Sequence, residues 1–223
     1  MNQLTLLFDL DGTLIDSSAG IIGCVKQAFA DMNLPVPPQS SLLRFIGPPL
    51  ADSLQRYSHL QGPKADEWIR LYRKHYAATG VFQNTLYPGM ADLLTQLHAQ
   101  GQPLLIATSK PTLFAQQIME NLGLASLFHA ICGSEINSGH ADKADIIRQA
   151  LSGLAPPQKQ HVWMIGDREH DVIGARKNQI PCIGVLHGFG SQQELEQAGA
   201  WKIVPNAHAL RQVLHDAAQS PLA

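Results

Sequence analysis

Two carboxylates lie two positions apart in the segment TLLFDLDGTLID, residues 5–16, where an apolar run ends. Asp9 and Asp11 carry like charges, which repel each other when they are brought close together. Asp is a common helix N-cap, but a cap uses one side chain and would leave the other carboxylate without a partner. The pair therefore favours a functional site over a structural cap.

Polar residues also follow two later apolar runs, in IATSKP and in MIGDREHD, and a lysine begins the helical pattern KADIIRQAL. Ligands of doubly wound sheets bind outside the carboxyl ends of the strands. If these runs are parallel strands of such a sheet, their polar residues converge with the first carboxylate pair on one rim. The residues concerned are Thr108, Ser109, Lys110, Lys143, Asp167 and Asp171.

Strand and helix signals alternate along most of the chain, and this alternation predicts an α/β fold with a doubly wound parallel sheet. The apolar run 4–8 has the near-continuous hydrophobicity of a strand that is buried on both faces. The other predicted strands are 103–108, 129–132, 162–165, 182–185 and 202–204. The predicted helices are 19–32, a short piece at 43–45, 50–57, 64–78, 90–99, 112–122, 141–151, 171–178, 192–198 and 207–217.

Only helical signals occur between the first strand and Tyr87, so this part of the chain is an insertion of helices into the alternating pattern. The predicted division is a core domain of residues 1–16 and 88–223 and a helical domain of residues 17–87.

The composition of the 223-residue chain excludes several classes of partner. A net charge of −2, without any block of like charges, gives no reason to expect a nucleic acid or an acidic membrane. No apolar run approaches the roughly 20 residues of a membrane span. The three cysteines are widely spaced among apolar residues, as is typical of reduced thiols, and we predict a cytoplasmic protein.

Four carboxylates on one rim require a cation among them. Two unit charges about 4 Å apart repel by roughly 4 kcal/mol at an effective dielectric of 20. Oxygen ligands without histidine or cysteine favour a hard divalent ion, and Mg²⁺ suits a site that has few carboxylates and space for a substrate phosphate. The sequence thus predicts a magnesium site.

The chain resembles phosphatases of the haloacid dehalogenase superfamily. The motifs DLDGT, ATS, a lysine at the start of a helix, and GDREHD occur in the order found in that superfamily, between residues 8 and 171. The resemblance implies a Rossmann-like core with a helical cap inserted after the first strand, which corresponds to residues 17–87. It also implies a Mg²⁺-dependent phosphomonoester hydrolase that works through an aspartyl-phosphate.

The resemblance assigns the chemical roles to residues of the first and last motifs. Asp9 would be the nucleophile, and Asp11 would be the general acid and base. The metal ligands would be the Asp9 side chain, the Asp11 backbone carbonyl and the Asp167 carboxylate. Asp171 would support the site by orienting Lys143 or a metal-bound water.

Phosphate contacts are implied for the residues that flank these acids. Thr108 and Lys143 would stabilise the phosphoryl oxygens as further catalytic residues, with Ser109 beside them. Gly12 would let the backbone approach the phosphate. In isolation, Gly12 is equally consistent with an ordinary turn.

The segment RFIGPPL, residues 44–50, is the part of the helical insertion expected to contact the substrate. A Gly-Pro-Pro turn presents a rigid backbone at low entropic cost. The prediction is that Arg44 or the loop at Gly47 reaches the substrate, and the alternative is a plain connector between helices with Arg44 in solvent.

The substrate is expected to be a small phosphorylated metabolite. GDREHD is similar to a subgroup of 5'-nucleotidases, whereas phosphoglycolate phosphatases usually have GDSxxD, so we expect a 5'-nucleotide, with phosphoglycolate as the alternative. Arg168 and His170 distinguish the two patterns, but their contact with substrate is left open. A sugar phosphomutase and a non-catalytic binding module are further alternatives, and an intact set of catalytic residues argues against the latter.

Overall fold

The computed structural model describes residues 3–135, 142–159 and 161–219. Its strands are β1 (Thr5–Phe8), β2 (Ile15–Asp16), β3 (Thr85–Leu86), β4 (Leu104–Pro111), β5 (Ala130–Ser134), β6 (Val162–Gly166), β7 (Cys182–Val185) and β8 (Lys202–Val204). Its α-helices are α1 (Ser18–Asp31), α2 (Gln39–Leu42), α3 (Leu50–Ser58), α4 (Pro63–Ala78), α5 (Met90–Ala99), α6 (Thr112–Asn121), α7 (Lys143–Ser152), α8 (Glu169–Lys177), α9 (Gln192–Ala198) and α10 (Ala207–Gln219).

Six strands form one sheet in the order β5-β4-β1-β6-β7-β8, and every pairing in it is parallel. β1 lies at the centre because its apolar residues can be buried on both sides. Leu6 and Phe8 face one hydrophobic cluster and Leu7 faces the other. The predicted α/β doubly wound parallel sheet is confirmed.

Helices α1 to α4 follow the first strands and pack mainly on one another, with α1 against α4. Aromatic side chains fill the space between them: the Phe29 and Trp68 ring centroids are 5.2 Å apart, and Trp68 stacks on Tyr72 at 5.6 Å. The short strands β2 and β3 pair antiparallel at the two ends of this insertion. The division into domains at residues 17 and 87 stays a prediction.

Several predicted boundaries were wrong by a few residues, and β2, β3 and α2 were not predicted. The strand predicted to end at residue 108 continues to Pro111, because pairing with β5 resumes at Pro111 and Ser134 beyond an irregularity. The helix predicted at 171–178 begins instead at Glu169. The predicted start of the 141–151 helix lies outside the described residues, and α7 begins at Lys143.

Cys24 and Cys182 are buried and Cys132 is partly exposed, and all three are free thiols. Within the described ranges, no helix has the length and apolarity needed to cross a membrane.

Candidate functional site

A cleft of about 210 Å³ lies between the carboxyl ends of the strands and the helical insertion. Most of the predicted site residues border it, but Gly12, Asp167 and Arg44 do not. The predicted residues at the cleft are Asp9, Asp11, Gly47, Thr108, Ser109, Lys143 and Asp171, and Arg168 and His170 also border it. The structure therefore brings together residues that are up to 162 positions apart in the chain, from Asp9 to Asp171.

Lys143 is the cation at the centre of the acidic cluster. Its Nζ lies 2.7 Å from Asp9 Oδ1 and 2.8 Å from Asp171 Oδ1, and it donates a hydrogen bond of 2.9 Å to the carbonyl of Ala107. The lysine side chain is only 5% exposed. Two carboxylates and one backbone carbonyl therefore fix the ammonium group, and its single positive charge is shared between Asp9 and Asp171.

Burial and charge act against each other on these groups. Burial alone would lower the pKa of Lys143, but the charges of Asp171 and Asp9 outweigh it and raise the pKa above its ordinary value. Burial raises the pKa of Asp9, and Lys143 offsets part of that effect. Lys143 therefore stays protonated, and a further cation would favour the ionised form of Asp9.

Asp171 has two structural roles at the start of α8. Its Oδ2 accepts a hydrogen bond of 3.1 Å from the backbone N–H of Arg168, and its Oδ1 contacts Lys143. A carboxylate that reaches back to the N-cap amide satisfies a free donor of the first turn, which is why the helix begins at Glu169. Asp171 thus caps the start of the helix and also makes the expected contact with Lys143.

Asp167 follows β6 and is fully buried, with backbone atoms packed around its carboxylate. Its Oδ2 accepts a hydrogen bond of 2.7 Å from the N–H of Phe189. Gly12, at φ +88°, approaches so closely that a Cβ there would lie 2.2 Å from Asp167 Oδ2, and a Cβ at Gly188 would lie 2.4 Å from the same atom. Gly12 thus makes space for Asp167 rather than bordering the cleft.

The GFG segment at residues 188–190 is part of the site that the sequence interpretation missed. It follows β7. Gly188 and the Phe189 amide lie against the Asp167 carboxylate, and Gly190 lies against the backbone carbonyl of Asp167. Two glycines a few residues after an apolar strand, on the rim where ligands of such sheets bind, were the signal that could have indicated it.

The acidic residues fit a divalent cation. One carboxylate oxygen each from Asp9, Asp167 and Asp171 lie within 4.8 Å of one another, and all three residues are buried. Asp167 forms an ion pair with none of the basic side chains in the described part of the chain, and burial, with the charges of Asp171 and Asp9, raises its pKa well above the ordinary value. A group of buried oxygen ligands with a net negative charge could therefore bind a metal ion such as Mg²⁺.

The irregularity in β4 brings consecutive residues to the cleft. Regular pairing with β5 is interrupted between Ala107 and Pro111, and Thr108, Ser109 and Lys110 all border the cleft. The Lys110 backbone N–H donates to Thr108 Oγ1 at 3.3 Å. Because that oxygen acts as an acceptor, the Thr108 hydroxyl can donate its own proton to a ligand.

Lys110 received no role from the sequence, but it contacts Asp11. Its Nζ lies 2.9 Å from Asp11 Oδ2 and donates a hydrogen bond of 2.8 Å to the Tyr76 hydroxyl of α4. Nothing in the sequence indicated that this lysine would turn back toward residue 11. Tyr76 belongs to the helical insertion, so this contact joins the insertion to the sheet.

Arg168 connects the sheet to the loop that carries Gly47. Its Nε lies 2.7 Å from Glu194 Oε1, and its Nη1 donates a hydrogen bond of 3.2 Å to the backbone carbonyl of Ile46. Gly47, at φ +99°, borders the cleft, and a Cβ there would lie 3.3 Å from Arg168 Nη1. Arg44 is exposed on a 3₁₀ turn (Leu43–Phe45), and the structure does not bring it to the cleft.

The model of the haloacid dehalogenase-like hydrolase family matches residues 6–185, which include every residue of the cleft named above. The chain belongs to this family. A 5'-nucleotidase of Pseudomonas aeruginosa is 39% identical over 94% of this chain and 94% of its own length. The crystal structure of a predicted phosphatase from Clostridium acetobutylicum has a TM-score of 0.90 and 43% identity, and the match covers 97% of this chain and all of that one.

Other relatives of this haloacid dehalogenase-like hydrolase have different names. The tyrosine-protein kinase PtkA of Mycobacterium tuberculosis is 36% identical over 83% of this chain and 62% of its own length. Several relatives at 28% to 29% identity are phosphoglycolate phosphatases, such as that of Yersinia pseudotuberculosis, where the match covers 82% of this chain and 80% of the relative. The family match and the phosphatase relatives confirm the prediction of a haloacid dehalogenase-like phosphatase.

Proposed function

We propose that the protein is a Mg²⁺-dependent phosphatase that transfers the phosphoryl group of a small ester to Asp9 and then to water. The observation that carries this proposal is the buried arrangement at Asp9, which borders the cleft and whose carboxylate lies 2.7 Å from Lys143 Nζ. A carboxylate placed beside a fixed cation, at the rim where a ligand enters, suits nucleophilic attack on an anionic ester.

In the first step, a carboxylate oxygen of Asp9 forms a bond to phosphorus while the bond from phosphorus to the ester oxygen breaks. Asp11 gives its proton to that leaving oxygen, and the alcohol departs. Lys143 and the Thr108 hydroxyl stabilise the negative charge on the phosphoryl oxygens. The product of this step is an aspartyl-phosphate at Asp9.

In the second step, Asp11 removes a proton from water as the water oxygen bonds to phosphorus. The bond between Asp9 and phosphorus breaks, and phosphate leaves with both catalytic carboxyl groups restored. Asp9, Asp167 and the backbone carbonyl of Asp11 would hold Mg²⁺, which when bound neutralises charge on the phosphoryl oxygens. Asp171 contacts Lys143 and caps the start of α8, so it holds the lysine beside Asp9.

The helical insertion, residues 17–87, would act as the cap that encloses the substrate. Its loop at Gly47 and its helix α4 both border the cleft, which supports this role. We propose a nucleoside 5'-monophosphate as the substrate, since the 5'-nucleotidase relative matches over nearly the whole chain. Phosphoglycolate is the second candidate, on the strength of the more distant relatives.

The test is release of free phosphate from a panel of nucleoside 5'-monophosphates, phosphoglycolate and sugar phosphates, with EDTA and with added Mg²⁺. We expect release that EDTA stops and Mg²⁺ restores, with kcat/KM for the nucleotides at least about tenfold above that for phosphoglycolate, a difference of about 1.4 kcal/mol. The control is Asp9→Asn, which keeps the shape of the side chain and should release no phosphate.

Phosphate release at the same rate with and without EDTA would show that the reaction does not need the metal. Activity retained by Asp9→Asn would contradict the nucleophile assignment. A higher kcat/KM for phosphoglycolate than for every nucleotide would select the second candidate, and phosphoryl transfer between two sugar positions without free phosphate would indicate a mutase.

A further inference from the structure

Lys110 occupies a buried position between the sheet and the helical insertion. Its side chain is 6% exposed, and its Nζ contacts Asp11 Oδ2 at 2.9 Å and the Tyr76 hydroxyl at 2.8 Å. The same ammonium group lies 4.7 Å from the centroid of the Tyr76 ring, within the range of a cation–π interaction. Lysine has three donors and no acceptor, so the Tyr76 oxygen accepts this hydrogen bond.

The two oxygens of Asp11 have different surroundings. Oδ2 is paired with Lys110, whereas Oδ1 is buried and accepts no hydrogen bond from the part of the chain that the structure describes. A buried carboxylate oxygen without a donor costs free energy, because the hydrogen bonds that it makes with water are lost and not replaced. The protein therefore leaves Oδ1 without a donor, in a residue that borders the cleft.

We propose that Lys110 is a positioning residue for proton transfer: it holds Asp11 by Oδ2, so that Oδ1 is the oxygen that gives the proton to the leaving group and later takes it from water. This inference rests on the proposed phosphatase function. In the first step the bond from hydrogen to Oδ1 breaks as the bond from phosphorus to the ester oxygen breaks, and the proton stays with the departing alcohol. The second step reverses the proton's direction.

Lys110 does not duplicate Lys143. Lys143 pairs with Asp9 and Asp171, and Lys110 pairs with Asp11. Each cation thus fixes a different carboxylate of the proposed reaction. Removing Lys110 would free Asp11 to rotate while the nucleophile and its cation stay in place.

The helical insertion contributes to this positioning through Tyr76. The ring of Tyr76 stacks on Tyr72 with centroids 5.6 Å apart, and it meets Phe114 of α6 edge-on at 5.2 Å. These contacts fix the phenol against both parts of the molecule, and its hydroxyl in turn fixes the end of the flexible Lys110 side chain. Asp11 is therefore correctly held only when α4 lies against the sheet.

The test compares two phosphate esters that differ in their need for a general acid. A nucleoside 5'-monophosphate has an alkoxide leaving group that must be protonated, whereas 4-nitrophenolate leaves 4-nitrophenyl phosphate without a proton. The measured quantity is kcat/KM, which reports the step that forms the aspartyl-phosphate. For Lys110→Met we expect a loss of about 100-fold on the nucleotide and less than about fivefold on the aryl ester.

Two further variants separate positioning from folding. Lys110→Arg retains donors that can reach Asp11 and should recover part of the nucleotide activity. Tyr76→Phe keeps the pair between Lys110 and Asp11 but removes the acceptor, and it should lower nucleotide turnover selectively by a smaller factor. Lys202→Met, at an exposed lysine of β8, is the matched control and should leave both esters unaffected.

Equal losses on the two esters in Lys110→Met would overturn the inference. If that variant does not fold, an equal loss in Tyr76→Phe would overturn it in the same way. A wild-type protein that releases phosphate from neither ester in Mg²⁺ would instead overturn the proposed function, so the two failures are distinguishable.

Discussion

Replacing Asp167 with asparagine is expected to stabilise the protein in the absence of metal and to remove its response to Mg²⁺. Asparagine preserves the shape of the side chain, and its oxygen can still accept the hydrogen bond from Phe189, which is 2.7 Å in the wild type. What disappears is one negative charge in a fully buried position, among carboxylates that share a single cation.

The magnitude follows from the charges around Asp167. Asp9, Asp171 and Lys143 together carry one uncompensated negative charge, and the ligand oxygens of the three acids lie within 4.8 Å of one another. One such repulsion amounts to roughly 3.5 kcal/mol at an effective dielectric of 20. The hydrogen bond from Phe189 loses about 1 kcal/mol when its acceptor becomes neutral. We expect a net gain of roughly 2 kcal/mol in the free energy of unfolding at neutral pH.

The sign of the pH dependence follows from the raised pKa of Asp167. Above the pKa of the unfolded chain, the folded protein binds more protons at this group, so wild-type stability falls as the pH rises from about 4 toward the folded pKa. The advantage of Asp167→Asn should therefore shrink as the pH is lowered. Mg²⁺ should raise the free energy of unfolding of the wild type and not that of the variant. A ligand at 100 times its Kd stabilises the protein that binds it by about 2.7 kcal/mol.

The assay is urea denaturation of both proteins in EDTA and in saturating Mg²⁺. The two proteins should exchange their order: the variant is more stable in EDTA, and the wild type is more stable in Mg²⁺. A variant that is destabilised in EDTA would show that Asp167 contributes a favourable contact that the charge argument omits. An equal stabilisation by Mg²⁺ in both proteins would show that the ion binds elsewhere.

Two other substitutions test the neighbouring parts of the site. Lys143→Met should lower the free energy of unfolding by about 3–5 kcal/mol, since it leaves the buried Asp9 and Asp171 without their cation, and a loss below about 1 kcal/mol in urea denaturation would contradict this account. Gly47→Leu should alter the ratio of kcat/KM between nucleotides and phosphoglycolate, because the residue has φ +99° and faces Arg168 at the cleft. Its control is Gly23→Leu, at an open position on α1, and an unchanged ratio in Gly47→Leu would make the loop a simple connector.

The order along the chain of the six strands of the main sheet and the rim position of the acids could be predicted from the sequence, because both follow from local patterns. Asp9 comes directly after an apolar run, and the run must be a central strand if it is buried on both faces. The place of Lys143 at the start of α7 was likewise visible in the periodicity of KADIIRQAL. These residues could be predicted because strand ends converge in any doubly wound sheet.

Contacts that depend on tertiary approach could not be predicted. Lys110 contacts Asp11 where the pairing of β4 with β5 is irregular, and a register shift between two strands cannot be seen in the sequence of one of them. Tyr76 reads as a core residue of an amphipathic helix, and only the packing of α4 shows that its hydroxyl reaches a lysine of the sheet. The role of Gly12 as a neighbour of Asp167 likewise required the fold, since 155 positions separate the two residues.

The pairing of β2 with β3 has a consequence for how such a protein can diverge. Asp16 and Thr85 are cross-strand partners, so the chain leaves the sheet and returns to it at adjacent points. Everything between them can be lengthened, shortened or exchanged for another module without moving β1 or altering the strand order. If the insertion selects the substrate, as we propose, selectivity can change there while Asp9 and Asp11 keep their places on the rim, except at positions such as Tyr76, whose hydroxyl a replacement insertion would also have to supply.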